Sequence, residues 1–354
     1  MDPQVKKRKK MFGTPTSTTQ QNKISNYTEL STIGKGAFGS VVEARSVRTG
    51  ERVALKRIPI RDEKRIALVL IREITTMLQC THPNIVRLIE MFADGRCLVL
   101  VLEKMECDLN VLLQSLCEPL PPNLSKAYMR MILLATHYLH QKDLIHRDIK
   151  PSNIMISSSG VLKLGDYGLA RVLSSSSENE RRTPQVSTRW YRSPEVLFGS
   201  NSYNFGTDMW SVGCVFAELL SLESLFPGDN DIDQISRIFQ CLGTPDEKTW
   251  PDFVKLPDAR KIEFSSSCDR IVSSATYSWT QVRFPDTSSD ARSLLEKIMR
   301  LDPKQRLDAR SALLDRYFFV DPLPTREFDL PKVVLEGPGG SCRMSDKNNI
   351  SQLI

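Results

Sequence analysis

A carboxylate, a cation and an amide follow one another in a single run of the chain, His146-Arg147-Asp148-Ile149-Lys150-Pro151-Ser152-Asn153. Transfer of a phosphoryl group requires an aligned acceptor hydroxyl, neutralisation of the developing charge and a metal ion that is held still. Asp148 offers a carboxylate to orient the hydroxyl, Lys150 a cation near the transferred group, and Asn153 an amide oxygen for magnesium. Asp166, thirteen residues after Asn153, supplies a second metal ligand. The residue types and their spacing therefore indicate phosphoryl-transfer chemistry.

A glycine-rich turn lies upstream, between two segments that are expected to be strands, Tyr27 to Gly34 and Gly39 to Arg45. Alone, a G-x-G-x-x-G match is weak evidence, because dinucleotide-binding folds share it. Here the glycines join two strands and do not open a helix, so their backbone can close over phosphates. We expect the nucleotide to contact Ile33, Gly34, Lys35, Gly36, Ala37, Phe38, Gly39, Ser40 and Val41.

A lysine at the end of the next predicted strand, Arg52 to Arg57, is the candidate for binding the α- and β-phosphates. This residue, Lys56, ends the sequence Val-Ala-Leu-Lys and needs a carboxylate to hold it in place. Glu73, on the helix that is expected to follow, is the natural partner. Each residue taken singly could be an ordinary surface charge, but their order upstream of the catalytic run argues against that reading.

Together these motifs resemble those of the eukaryotic protein kinases over about residues 27–319. The resemblance implies an α+β, bilobal fold, with a small β-sheet N-lobe that carries one regulatory helix (27–103), a hinge (about 103–108) and a larger, mostly helical C-lobe (109–319). It implies ATP and Mg²⁺ as cofactors, with Asn153 and Asp166 as the metal ligands. The backbone of Glu103 and Met105 is then expected to meet adenine, and Asp108 to face the ribose.

Apolar patterning predicts further elements that would support these residues. Short apolar runs predict strands at Ile85 to Leu88 and Cys97 to Leu102, and helical spacing from Ser125 to Gln141 predicts a buried helix before the catalytic run. The kinase resemblance implies a large central helix that begins near Asp208. It also implies an ion pair between Glu195 and Arg306.

Three segments resemble the branch of cyclin-dependent and MAP kinases: Trp190-Tyr191-Arg192, the run from Phe226 to Ile235, and Leu242-Gly243-Thr244-Pro245. Gln185 stands where MAP kinases carry the tyrosine of their Thr-x-Tyr switch, so only Thr183 remains, as in cyclin-dependent kinases. A MAP-kinase-like signalling kinase stays open as an alternative. Two segments, Leu256 to Phe264 and Tyr317 to Pro324, resemble the group of cell-cycle-related kinases, which are cyclin-dependent-like kinases associated with cilia.

Regulation and specificity are expected from the segment around Thr183. A phosphate on Thr183 adds about −1.5 to −2 charges, and the resemblance places three arginines around it, Arg72, Arg147 and Arg171. We therefore expect activation by an upstream kinase. Arg192 is expected to leave a substrate site that tolerates proline, which has no N–H to satisfy, so Ser-Pro and Thr-Pro sites on proteins are the predicted substrates.

A cyclin-like activator remains an open question, because the predicted helix before Glu73 reads Ala-Leu-Val-Leu where cyclin-gripping members have Pro-Ser-Thr-Ala. The competing functional class is a pseudokinase-like scaffold that binds partners without catalysis. Against it stands the intact set of catalytic and metal-binding residues: Lys56, Glu73, Asp148, Asn153 and Asp166.

Charge and composition limit the remaining classes. The formal net charge is +6, but the basic run from Lys6 to Lys10 carries five of those charges, so the body is nearly neutral and a nucleic-acid-binding face is not expected. Three interpretations of the run stay open: a nuclear-import signal, a patch that binds an acidic partner, and a solvated part of a disordered N-terminal tail, residues 1–26. No apolar run approaches the ~20 residues of a membrane span, and no secretory signal is visible.

We therefore expect an intracellular protein, in the cytoplasm, with the nucleus and the cilium as further locations. The eight cysteines form no C-x-x-C pair and are expected to be free thiols. Residues 320–354 are expected to form a C-terminal tail that is flexible from about residue 325.

Overall fold

The computed structural model describes residues 23–36, 39–60, 80–166, 171–172, 189–200, 203–259, 261, 278–335 and 342–345. Several predicted site residues lie outside the described residues: Ala37, Phe38, Arg72, Glu73 and Thr183. The chain forms two compact units, residues 1–61 with 90–101, and residues 62–89 with 102–354. Among the described residues, no helix has the length and apolar character needed to cross a bilayer.

The first unit is built on a sheet whose strand order is β1-β2-β3-β5-β4. Residues two apart along a strand point to the same face of the sheet, and such residues form the buried face here. The buried face carries Ala44, Val53, Leu55, Phe92, Val99 and Val101. The strands are β1 (Tyr27–Gly36), β2 (Gly39–Ser46), β3 (Arg52–Pro59), β4 (Leu88–Asp94) and β5 (Cys97–Glu103). The predictions of β1, β2, β3 and β5 are confirmed.

The predicted fourth strand, Ile85 to Leu88, is wrong except for its last residue, because β4 begins at Leu88. Ile85 and Val86 are buried and, like Leu164, belong to the second unit. Within that unit they contact Leu164 through an isolated bridge and a backbone hydrogen bond of 2.9 Å. A continuous apolar run cannot distinguish a strand from a buried connecting segment. The strand itself has the alternating burial that a half-exposed strand requires, with Phe92 inside and Met91 outside.

The second unit is mostly helical, which together with the sheet of the first unit confirms the predicted α+β, two-lobed fold. The predicted helix from Ser125 to Gln141 is confirmed as α2, which begins three residues earlier, with Pro122 in the first turn, where proline is favoured. The predicted central helix is α4, which is buried over most of its length. The helices are α1 (Leu109–Ser115), α2 (Pro122–His140), α3 (Pro194–Leu197), α4 (Phe205–Ser221), α5 (Asp231–Leu242), α6 (Trp279–Arg283), α7 (Ser289–Ile298) and α8 (Ala309–Leu313).

Short strands frame the catalytic run in this unit. They form a three-stranded sheet of order β6-β8-β9, the pair β7–β10 and the hairpin β11–β12. The strands are β6 (Cys107–Asp108), β7 (Leu144–Ile145), β8 (Ile154–Ile156), β9 (Leu162–Leu164), β10 (Arg171–Val172), β11 (Lys332–Leu335) and β12 (Cys342–Ser345). The catalytic run therefore starts directly after β7 and ends directly before β8.

The C-terminal part of the chain corrects two predictions. Residues from about 325 on were expected to be flexible, but Leu330, Val333 and Cys342 belong to the buried core of the helical unit. The expectation of free thiols is wrong for Cys107 and Cys342, which form a disulfide across 235 residues of sequence. Neither fact is visible locally, because both depend on which distant segments meet in the fold.

Candidate active site

The catalytic run is anchored to the first turn of helix α4. Asn204 caps this helix in a capping box with Thr207, which places Asp208 in the first turn. The Asp208 carboxylate accepts the backbone N–H of His146 at 2.9 Å and that of Arg147 at 2.8 Å. It also accepts a hydrogen bond of 3.0 Å from His140 Nε2. Three elements are thereby joined through one side chain: α2, the catalytic run and α4.

The environment of Asp208 keeps its carboxylate charged. Burial alone would raise the pKa of this carboxyl, but the hydrogen bonds from His140 and from the backbone N–H of Arg147 outweigh it. The result is a pKa below the ordinary value. The sequence assigned no site role to His140, which stacks on Phe205 at 4.4 Å between ring centres and holds Asp208.

The backbone conformation of the run explains why this anchor is needed. Arg147 in the run has φ of 72°, and Asp166, which lies beyond the run, has φ of 53°. This left-handed conformation costs free energy in residues with a Cβ. The two hydrogen bonds to Asp208 hold the backbone of His146 and Arg147 in place. His146 is fully buried, and its Nδ1 accepts the N–H of Asp148 at 3.3 Å, so the ring proton is on Nε2 and donates to the carbonyl of Gly165 at 2.9 Å.

The three predicted side chains of the run contact each other directly. Lys150 Nζ lies 2.9 Å from Asp148 Oδ2, and Asn153 Nδ2 donates to the same oxygen at 2.8 Å. Asn153 also donates to the Asp148 carbonyl at 2.8 Å. The side chains of Asp148 and Lys150 are 15% and 16% exposed, so both are held in place and still accessible to a substrate.

The predicted metal ligands lie at the same end of the β8–β9 ladder. Ile154 pairs with Leu164, and the Gly165 N–H donates to the Asn153 carbonyl at 2.9 Å. Asn153 and Asp166 therefore lie directly beyond the last pair of this ladder. Because the Asn153 amide nitrogen is turned toward Asp148, its oxygen is turned the other way. An amide oxygen and a carboxylate are hard ligands, which fit Mg²⁺.

The backbone brings together two of the three arginines that are predicted to surround a phosphate on Thr183, namely Arg147 and Arg171. Arg171 on β10 pairs with Ile145 on β7, two residues before Arg147, so the backbone places both near the start of the catalytic run. The guanidinium of Arg147 lies 3.6 Å from the centre of the Tyr203 ring, a cation–π contact that the sequence did not reveal. A cavity of about 30 Å³ beside Arg147, Tyr203 and Thr207 has room for a water molecule, and we assign no substrate to it.

The described segment that begins at Arg189, after the predicted phosphorylation site, is held by buried polar contacts. The predicted pair is confirmed, since Arg306 contacts both oxygens of Glu195, at 2.8 and 2.7 Å. Arg306 also donates to the carbonyls of Arg300, Gly206 and Leu301. Burial opposes the charge of Glu195, but Arg306 outweighs it and lowers the pKa of this carboxyl.

Two consecutive carbonyls of the segment Trp190-Tyr191-Arg192 are held by side chains from other helices. Ser211 on α4 donates to the Tyr191 carbonyl at 2.8 Å, and Gln234 on α5 donates to the Trp190 carbonyl at 3.3 Å. The Tyr191 hydroxyl donates to Glu218 at 2.7 Å. Ser211, Glu218 and Gln234 are buried polar residues. Sequence reasoning missed all three as supports of this segment.

The predicted nucleotide-binding residues of the sheet unit lie on neighbouring strands. Gly36 of β1 pairs with Gly39 of β2, and Val41 of β2 pairs with Lys56 of β3. Gly39 has φ of 131°, and a side chain here would overlap the carbonyl of Arg57. The third glycine of the motif is therefore required by the close approach of β3.

The predicted hinge residues have contacts of their own. The Glu103 carboxylate pairs with Lys163 at 2.9 Å and accepts the N–H of Arg87 at 2.7 Å. Lys104 Nζ donates to the Met105 carbonyl at 2.6 Å. Asp108 caps α1 by accepting the Val111 N–H at 2.9 Å, and burial raises the pKa of its carboxyl. This capping role was not predicted, and it fixes the carboxylate at the end of the hinge.

Comparison with known proteins agrees with this arrangement. Residues 27–318 match the protein kinase domain, and the chain belongs to the protein kinase family. It is 42% identical to Cyclin-dependent kinase 20 of Danio rerio over 315 residues, which cover 87% of this chain and 88% of that protein. The human Cyclin-dependent kinase 20 is 39% identical over 310 residues, 87% of each chain. Cyclin-dependent kinase D-1 of Arabidopsis thaliana is 38% identical over 317 residues, 89% of this chain and 77% of that protein.

These relatives make the chain a serine/threonine protein kinase of the cyclin-dependent type. Members of this family act on proteins with ATP and Mg²⁺ and typically associate with cyclins. The predicted likeness to the cell-cycle-related kinases, the group of Cyclin-dependent kinase 20, is confirmed.

Proposed function

We propose that this kinase transfers the γ-phosphoryl group of Mg-ATP to serine or threonine residues that precede proline in protein substrates. The observation that carries this proposal is the Asp148 carboxylate, which Lys150 and Asn153 hold at 2.9 and 2.8 Å in a loop anchored by Asp208. A carboxylate in a fixed orientation can align the acceptor hydroxyl and take its proton.

The other predicted residues then act on the phosphates. Asn153 and Asp166 hold magnesium, which neutralises charge on the phosphate oxygens. Lys150, already beside Asp148, stabilises the transferred group as negative charge develops on it. Lys56 binds the α- and β-phosphates, and Glu73 is the partner that the sequence predicts for it. The glycine-rich backbone from Ile33 to Val41 covers them, and Glu103, Met105 and Asp108 bind adenine and ribose.

The central test is phosphate transfer to a protein substrate by the purified chain, compared with Asp148→Asn. The amide has nearly the same shape as the carboxylate but cannot accept the proton, so we expect kcat to fall by about 10²–10⁴-fold with little change in the KM for ATP. Equal rates for the two proteins would contradict the catalytic role and favour a scaffold that does not transfer phosphate.

The preference for proline is supported by the position of Arg192. Its side chain is mostly buried and lies 3.6 Å from Asp231. Arg192 directly follows Trp190 and Tyr191, whose carbonyls are held by side chains of other helices. Matched peptides with Ser-Pro and Ser-Ala test the specificity. We expect a kcat/KM ratio of at least about tenfold in favour of proline, and no preference would overturn this part of the proposal.

We further propose activation by an upstream kinase that phosphorylates Thr183. The proposal is supported by the pairing of the β7 and β10 strands, which brings Arg147 and Arg171 near each other at the start of the catalytic run. Arg72 would complete the cation set. Thr183→Ala is expected to remove most of the activity gained on treatment with an activating kinase. Activity measured on the chain alone, before and after that treatment, also shows whether a cyclin-like activator is required.

The proposed locations are the cytoplasm, the nucleus and the cilium. The basic run from Lys6 to Lys10 supports import into the nucleus, and the resemblance to the cell-cycle-related kinases supports the cilium. Imaging of the tagged full chain, with and without residues 6–10, tests the nuclear location. An unchanged distribution after the deletion would contradict a role of this run in import.

A further inference from the structure

The C-terminal hairpin is linked to the strand at the end of the predicted hinge. Cys342 on β12 and Cys107 on β6 form a disulfide although 235 residues separate them in sequence. Cys107 immediately precedes Asp108, which caps helix α1. The disulfide therefore links the C-terminal hairpin to the residue that directly precedes Asp108, which is predicted to face the ribose.

Contacts without covalent bonds already place this hairpin. Ser115 at the end of α1 donates to the Cys342 carbonyl at 2.8 Å, and the Val333 N–H donates to the Ser158 carbonyl at 3.1 Å. Gly160, with φ of 81°, lies so close to Pro331 that a side chain would overlap the proline carbonyl. The hairpin thus contacts both the end of α1 and the turn between β8 and β9, and these contacts hold the two sulfurs near each other before any bond forms.

We propose that Cys107 and Cys342 are a reversible oxidation site that locks the C-terminal hairpin onto the helical unit. The oxidant is hydrogen peroxide, because the cysteines are only 8% and 5% exposed and a small molecule reaches them more easily than a protein disulfide does. One cysteine loses its thiol proton and the thiolate attacks one oxygen of the peroxide, so that the S–O bond of a sulfenic acid forms and the O–O bond breaks. The hydroxide that leaves takes up the proton lost by the thiol and becomes water. The second thiol sulfur attacks the sulfenic sulfur, the S–S bond forms and the S–O bond breaks. A second water leaves, and two electrons have passed from the sulfurs to the peroxide.

Oxidation is expected to stabilise the folded chain, because the disulfide closes a large loop in the unfolded chain. A link between residues so far apart in sequence removes much of the conformational freedom of the unfolded chain. It also prevents the hairpin from leaving its site as an independent unit, because local opening now requires β6 to move as well. This inference does not depend on the proposed substrate or on the activation site.

Peptide mapping of the full chain tests the pairing. Trypsin leaves Cys107 on a fragment of residues 105–126 and Cys342 on a fragment of residues 333–343. The first fragment also contains Cys117, an exposed free thiol, so Cys117→Ser serves both as the matched control and as the background that makes the assignment unique. We expect peroxide to link these two fragments in the wild type and in Cys117→Ser, and dithiothreitol to separate them. The absence of this link, or a link that joins Cys342 to another cysteine, overturns the proposal.

Thermal unfolding and hydrogen exchange test the lock itself. The peroxide-treated wild type and Cys117→Ser are expected to unfold about 5 °C higher than their reduced forms. Amides of β11 and β12 should exchange at least about tenfold more slowly after oxidation. In Cys342→Ser, which keeps the hydrogen bond to the residue 342 carbonyl, neither difference should appear. The same response to peroxide in Cys342→Ser as in the wild type, or no response in the wild type, overturns the proposal.

Discussion

The two ends of helix α4 each carry a buried carboxylate, and the two behave in opposite ways. Asp208 in the first turn has a lowered pKa, and Glu218 near the last turn has a raised one. Asp208 accepts two backbone N–H groups and a hydrogen bond from His140. Glu218 accepts the hydroxyl of Tyr191, a neutral donor, and burial is the largest influence on its pKa.

The helix itself adds to this difference. The N-terminus of a helix carries partial positive charge and the C-terminus partial negative charge, so the first turn favours an anion and the last turn disfavours one. The charged end of α4 fixes the catalytic run, and the other end fixes the segment around Tyr191. Both acids are buried, yet their pKa values shift in opposite directions. The number and charge of the hydrogen-bond donors around each carboxylate make the difference.

The largest effect is expected from removal of the counter-ion of a third buried carboxylate, Glu195. In Arg306→Met this acid keeps its burial and loses both contacts of its cationic partner. We expect the free energy of unfolding to fall by about 3–5 kcal/mol, as measured by denaturant titration. The double variant with Glu195→Gln should recover part of the loss, because an amide is less costly to bury unpaired. A loss below about 1 kcal/mol would show that the pair contributes no more to the free energy of unfolding than a solvent-exposed ion pair does.

Asp208→Asn is expected to have the next largest effect, and mainly on catalysis. The amide replaces one acceptor oxygen with an NH2 group. Because His146 and Arg147 donate to different oxygens of Asp208, one of these two N–H groups then faces a donor, and the loop loses part of its anchor. A small displacement of catalytic groups costs about 10²-fold in rate, and we expect kcat to fall by that factor with a smaller change in the KM for ATP. Stability should fall by about 2 kcal/mol. A kcat equal to that of the wild type would contradict the anchoring role.

Glu218→Gln should have the smallest effect of the three substitutions. The amide oxygen can still accept the Tyr191 hydroxyl, and no charged partner is lost. We expect the free energy of unfolding to change by less than about 1 kcal/mol and kcat to change by less than twofold. If this variant is as damaging as Asp208→Asn, the proposed contrast between the two ends of the helix is wrong.

The pH dependence of stability is expected to have opposite signs for Glu218 and Asp208. Glu218 has a folded pKa above its ordinary 4.5, so its contribution to stability is complete below that value and is lost as pH rises through the folded pKa. The advantage of the wild type over Glu218→Gln should therefore shrink as pH rises. Asp208 has a folded pKa below its ordinary 3.8, so the advantage over Asp208→Asn should shrink as pH falls. Denaturant titrations from pH 3 to pH 8 measure both slopes, and slopes of the same sign would contradict the assignment.

Residues that act through local motifs could be predicted from the sequence. The catalytic run, the strand that carries Lys56 and the helix from Pro122 to His140 each depend on a short pattern of residue types. Asp148, Lys150 and Asn153 lie within six residues of one another, so their contact follows from one loop conformation. The ion pair of Glu195 and Arg306 was also predicted, but only from the family resemblance, because 111 residues separate the partners.

Supporting residues could not be found in this way. His140, Ser211 and Gln234 are common polar residues within helices, and only the packing of those helices shows which backbone groups they meet. The strand β4 was misplaced because an apolar run is equally compatible with a buried connection. The C-terminal hairpin was missed for the same reason that the disulfide was, since its partner surface is formed by distant parts of the chain.

The sequence by itself determined the chemistry: which side chains can bind metal and phosphate, and in what order they follow. The tertiary structure decided which residues hold those groups in place and what surrounds each buried acid and cysteine. It placed Asp208 on the backbone of the catalytic run, the neutral hydroxyl of Tyr191 on Glu218, and Cys342 on Cys107. A pattern of residue types reports what each group can do. The pKa of a buried acid and the partner of a cysteine depend on neighbours that only the folded chain brings within hydrogen-bonding or bonding distance.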